Sequence, residues 1–349
     1  MEMASGRRGD IDALKTVAIL GTLFIHTSAD GLTEGAPGSP LWSVDLFWAV
    51  FLRCAVPVFL MCTGALFLPA QKPLTIPRLW SKYILRIAAA LAFWSLAYAV
   101  WNHVFLLPPA EGRAAGLKPA LTDWLCFRHK YHLYYLVVLL AVYALLPLLR
   151  LLFQQGSAPL LKYAMVLWLV CGSLLPVLFA LPPLRSAEGY VRQYALPFVL
   201  SAPGYALAGG LIAGHGRRLR PRFWGLLYLA GTALLFAGTL FVSLRGGQLS
   251  VFLSGTSPGV TLQAVGLFGL GVALWSERRP PRWTETVSRA SFCIYLVHPF
   301  FLDLMLRAGF SSAVFPAWAV PVQVILLFFL GMACWAVLRR VPAVNKYLI

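Results

Sequence analysis

Acidic residues are scarce in this 349-residue chain: 12 Asp and Glu stand against 29 Lys and Arg, and charged residues of both signs make up only 12%. Soluble domains carry about 25% charge, so a soluble globular fold is excluded. Paired cysteines are lacking too. The six cysteines, Cys54, Cys62, Cys126, Cys171, Cys293 and Cys334, are scattered without metal-ligand spacing. All but Cys126 lie in apolar runs, where a thiol behaves as a small hydrophobe. That argues against both a disulfide framework and a zinc site. No soluble domain, long linker or convincing internal repeat interrupts the sequence. The formal charge of +17 does not point to nucleic acid, because the basic residues sit in short turns between apolar runs and form no single basic face.

What fills the chain instead is hydrophobic sequence, 60% of all residues. Apolar runs of about 17–25 residues cross a bilayer core of about 30 Å as helices. Ten such runs lie near 12–29, 43–68, 83–106, 131–152, 160–180, 195–213, 223–244, 258–275, 289–306 and 319–338. Proline and basic residues punctuate them, as in "PAQKPLTIPR", "GHGRRLRPR" and "SERRPPR". The expected fold is an all-α polytopic membrane protein, one domain over 1–349, with about ten transmembrane helices around an intramembrane cavity. Arg7 and Arg8 before an apolar stretch mimic a signal peptide, but Lys15 and His26 bracket that stretch and no small-residue cleavage site follows. It reads as a retained first span. With the N-terminus in the cytoplasm, nineteen Lys and Arg fall on cytoplasmic segments and their flanks and eight on the opposite side, leaving Lys15 and Arg53 within spans. The bias places both termini in the cytoplasm.

Ionisable side chains inside spans are costly and face a cavity or a partner. The first span, "KTVAILGTLFIH", opens with Lys15 and closes with His26. Eleven helical steps return to within about 20° and rise about 16.5 Å. The two side chains therefore share one face, half a bilayer apart. Asp30, four residues on, falls above His26 and is placed to fix the imidazole tautomer. One reading is a cation for an anionic cytoplasmic ligand with a general base farther along the track. The other is a snorkelling lysine and a histidine bonded to a backbone carbonyl. In "RCAVPVFLMCTGALFLP" Arg53 lies deep in the second span, and Pro57 and Gly64 are expected to interrupt the helix. Arg53 either serves a cavity or pairs with Asp45, and Cys62, Thr63 and Gly64 suit close helix packing. Lys82 and Arg86, one turn apart at the start of the third span, suit phosphate groups or lipid headgroups. His132, Tyr134 and Tyr135 either line a carbohydrate-sized opening or form an interfacial aromatic belt. In "SRASFCIYLVHPFFLDLM", His298 and Asp303 fall near mid-depth and the outer half, with Pro299 bending the helix.

The lysine–ten residues–histidine pattern, "VPVFLMCTGALFL", "HLYYLVVLLAVY" and "SFCIYLVHPFFLDL" together resemble the membrane acyltransferase-3 family. The similarity runs over nearly the whole chain and is nearest the branch of bacterial O-acetyltransferases that decorate surface polysaccharides. The resemblance implies ten core spans in the bacterial inner membrane. It also implies transfer of an acyl group, commonly acetyl, from cytoplasmic acyl-coenzyme A to a hydroxyl of a glycan or lipid-linked sugar. No metal is expected. The family histidine maps to His26 and its basic partner to Lys15. The arginine–two residues–arginine pair of the third span maps only in part: Arg86 fits, position 83 is tyrosine, and Lys82 is the nearby cation. Ser-Gly of the family is Thr63-Gly64 here.

The roles expected are thus His26 as general base, Asp30 as its orienting group and Arg53 as oxyanion stabiliser. An acyl-histidine intermediate is the alternative route. Lys15, Lys82 and Arg86 are expected to hold coenzyme A phosphates, and His132, Tyr134, Tyr135 and His298 the acceptor. The roles of Asp30 and Arg53 follow from helix geometry alone. Two competing classes are a flippase for a lipid-linked sugar, built on the same broken helices, and a ligand-sensing membrane domain.

Overall fold

A computed structural model describes residues 7–69, 74–106, 115–128, 130–181, 196–216, 219–275 and 280–349, with backbone only for 196–200. The described secondary structure is helical throughout, without strands. In chain order the helices are α1 (Gly9–Thr27), α2 (Ala29–Glu34), α3 (Pro40–Phe51), α4 (Ala55–Phe67), α5 (Ile76–Phe105) and α6 (Leu117–Leu125). They continue with α7 (Tyr131–Gln155), α8 (Ala158–Ala180), α9 (Leu196–His215), α10 (Pro221–Leu244), α11 (Ser250–Leu253) and α12 (Pro258–Leu274). The last three are α13 (Trp283–Arg307), α14 (Pro316–Leu338) and α15 (Pro342–Tyr347). Among the described residues nine helical stretches are long and apolar enough to cross a membrane. The remaining expected run, 195–213, is occupied by α9. The protein is an all-α polytopic membrane protein.

The chain divides into two compact units, residues 1–71 with 148–334, and residues 72–147 with 335–349. In the first, α1 packs on α13 and α4, α4 on α9, and α10 on α12. The α1–α2 and α3–α4 spans form the centre, each 67% buried, whereas α10 is 22% buried and turns Leu226, Leu229 and Phe241 outward. Apolar side chains facing outward are the rule for a helix bathed in lipid.

The second span breaks earlier than expected. Pro57 has no N–H for the carbonyl of Arg53, and the helix interrupts itself at 52–54 while Gly64 stays within α4. The backbone groups so released have partners. Gln263 of α12, fully buried, donates through Nε2 to the Val50 carbonyl (2.8 Å) and to Thr232 Oγ1 (2.8 Å). Its Oε1 accepts the Cys54 N–H at 3.0 Å, and the Tyr228 hydroxyl donates to the Phe51 carbonyl. One amide and one phenol thus make the break tolerable away from water.

Gly64 matters for helix packing and not for the break. A Cβ there would strike the Ala206 carbonyl on α9, and one at Gly209 would strike the Met61 carbonyl on α4. The two backbones touch through paired glycines, the close approach that small residues permit between membrane helices. A hydroxyl chain ties α8, α9 and α12. Tyr205 donates to the Gly255 carbonyl (2.8 Å) and meets Thr261 at 2.8 Å, which in turn meets Ser173 at 2.9 Å.

In the second unit α6 and α15 both pack on α5. Trp124 of α6 donates to the Ala92 carbonyl at 3.0 Å, and the buried ring of His103 meets the Asp123 carboxylate at 2.8 Å, with Arg128 at 3.1 Å. The hydrogen bond from His103, seconded by Arg128, holds the Asp123 carboxyl below its ordinary value. A depressed carboxyl stabilises the fold above that ordinary value, and the contribution is lost as pH falls through the depressed one. Acidification below about pH 4 is therefore expected to release α6, read by hydrogen exchange of residues 117–125. Asp123→Asn should abolish that pH dependence. Exchange that is indifferent to pH in the wild type would contradict the account.

Candidate active site

The N-terminal end of α1 carries a charge cluster that sequence reasoning missed. Asp10 and Asp12 are buried. Arg7 forks onto Asp12 at 2.7 and 2.8 Å, and Arg8 pairs with Asp10. Glu285 of α13 joins Arg7 at 3.6 Å and Arg289 beside it. Half-buried Lys15 stands one turn beyond Asp12. The signal was in the sequence: "RRGDIDALK" pairs cations and carboxylates before the apolar run starts.

Toward the other end of α1, half-buried His26 faces two partners. The ring of His298, from α13, lies 5.1 Å from it between centroids, with planes 28° apart. Arg53, in the turn where the second span breaks, acts on His26 electrostatically. Its Nε is fixed by the Leu253 carbonyl at 2.7 Å. Asp45, which the sequence offered as the alternative partner of Arg53, is buried against Gly31. The break at 52–54 removes the shared helical face that the eight-residue spacing implied. Phe24, two residues before His26, stacks on Trp48 at 5.2 Å and meets Phe51 edge-on at 5.9 Å.

Between His26 and Asp30 the helix is interrupted at Ser28, and Asp30 opens the separate helix α2. Its carboxylate accepts from Ser311 Oγ at 3.4 Å, with Glu34 and Asp303 as charged neighbours. His298, expected among the acceptor-binding residues, is fully buried and lies against the expected base instead.

The second unit holds the other expected residues. Lys82 and Arg86 line a cavity of about 410 Å³ with Ser81, Tyr83, Lys346 and Tyr347. Arg86 also donates to the Ile349 carbonyl. His132, Tyr134 and Tyr135 do not share an opening. His132 is 1% exposed beneath the edge of Tyr98, Tyr135 is 7% exposed, and Tyr134 alone faces outward at 54%. Successive residues of a helix point about 100° apart, so the neighbouring tyrosines face different ways. Among the described residues no group of three or more His, Cys, Asp or Glu is placed to hold a metal ion.

The structure thus brings His26 of the first span against the imidazole of His298 and within electrostatic reach of Arg53. The family model for the acyltransferase-3 family, described as an acyltransferase domain, matches residues 8–340. The chain belongs to that family and is a membrane acyltransferase. No curated protein and no solved structure matches it.

Proposed function

We propose that this protein moves an acyl group, acetyl in the first instance, from cytoplasmic acyl-coenzyme A to a hydroxyl of a cell-surface or lipid-linked glycan. The observation that carries the reading is the grouping of His26 with Arg53 and His298 inside a chain of the acyltransferase family. The histidine takes the proton of the acceptor hydroxyl as its oxygen attacks the thioester carbonyl. Charge develops on the carbonyl oxygen, and Arg53, held by Leu253, is the cation positioned to oppose it. The carbon–sulfur bond then breaks, and the thiolate recovers the proton from the His26 imidazolium. The products are an O-acyl ester and coenzyme A thiol.

Lys82 and Arg86, with Lys346, surround a cavity suited to an anionic group. They are assigned to the coenzyme A phosphates. The excess of Lys and Arg on one side supports cytoplasmic termini, and a bacterial inner-membrane location is what the family resemblance implies. Purified protein in detergent, given acetyl-coenzyme A and glycan acceptors, is expected to release free thiol in step with acceptor acylation. Transport of a lipid-linked sugar without thiol release would instead support a flippase.

A further inference from the structure

In a regular helix the carbonyl of residue 295 receives the N–H of residue 299. Residue 299 of α13 is proline and has no N–H to give. The carbonyl of Tyr295 so left over accepts from His298 Nδ1 at 2.8 Å, and the Ile294 carbonyl lies at 3.2 Å from the same nitrogen. A carbonyl oxygen only accepts, so Nδ1 carries the proton. The ring is thereby fixed in one tautomer and one orientation. It is fully buried, and it stacks on His26 at 5.1 Å.

We infer that His298 is the positioning residue for His26 and that Pro299 is the device that locks it. The inference rests on the acyl-transfer reading for its kinetic consequence and on the geometry of α13 alone for the lock. Before reaction the two neutral rings stack. As the acceptor O–H bond breaks and the proton passes to His26, that ring becomes cationic over the π face of a neutral imidazole. The new oxygen–carbon bond forms, the carbon–sulfur bond breaks, and the proton leaves His26 for the thiolate. The stack is stronger in the middle of that sequence than at either end, because a cation over an aromatic face is attracted by its electron density. An interaction strengthened only there raises kcat and leaves KM alone. This separates a positioning role from the acceptor-binding role that the sequence suggested for the same residue.

The experiment uses the full-length protein in detergent, with acetyl-coenzyme A and the best acceptor found for the wild type. His298→Ala is expected to lower kcat about tenfold at unchanged KM. His298→Phe keeps an aromatic face and should recover most of that loss, whereas His298→Asn keeps a donor without a ring and should not. Pro299→Ala supplies an N–H to the Tyr295 carbonyl and competes with the lock. Imidazole 15N spectra of the wild type should show His298 as the Nδ1–H tautomer, and Pro299→Ala should mix the tautomers. A raised KM with wild-type kcat in His298→Ala, or an Nε2–H tautomer in the wild type, overturns the inference. Wild-type protein that releases no thiol refutes the proposed reaction and the kinetic role together. The 15N signal then still decides whether the lock exists.

Discussion

His26→Ala is expected to lower acyl transfer about 10²- to 10⁴-fold, the range over which a positioned general base acts. The loss should appear in kcat, since the base contributes only as the proton moves. His26 is half-buried in the first span and stacked on His298. Alanine is smaller and less polar than the imidazole it replaces, so membrane insertion should survive. Size-exclusion chromatography in detergent checks that, and thiol release with acyl-coenzyme A measures the rate. A folded His26→Ala protein with wild-type turnover would remove the mechanism, both as base catalysis and through an acyl-histidine intermediate.

The second large effect falls on the fold. Gly64→Leu puts a side chain where the Ala206 carbonyl of α9 already lies. Backbone on a packed helix cannot swing aside as a flexible side-chain tip would. The α4–α9 contact must open, at a cost of about 3 kcal/mol or more. The whole stability of a domain is of order 5–15 kcal/mol, so a steep fall in Tm or outright aggregation is the expected result. Gly225→Leu on α10 is the control. A Cβ at Gly225 meets nothing within 4 Å, and the same substitution there should move stability by about 0.5 kcal/mol or less. Equal behaviour of the two variants, measured by thermal unfolding in detergent, would mean that the glycine contact does not hold the helices together.

The second span shows where reading from sequence stops. "RCAVPVFLMCTGALFLP" announces a break through Pro57, and the break occurs. Its position at 52–54 was not legible, whereas the packing role expected for Gly64 is what the α4–α9 contact shows. Proline disturbs the carbonyl four residues earlier, a local rule, but where the helix yields depends on partners for the freed groups. Gln263 and Tyr228 supply them from more than 170 positions away. Pairing Arg53 with Asp45 relied on helix phase, and the helix is not continuous there. Asp30 likewise stands beyond an interruption of the helix, at Ser28, and bonds Ser311.

By itself the sequence determined that this chain enters a membrane as a set of helices, and which ionisable groups those helices carry into the apolar layer. Both follow from local terms: the transfer free energy of each run and the 100° step between successive residues. Only the tertiary structure decided which of those groups meet. His26 lies against His298, Arg53 turns to Leu253, and His132 is sealed beneath Tyr98. Helix pairing in lipid is chosen by shape and by the satisfaction of distant polar groups, and neither is written within a single span.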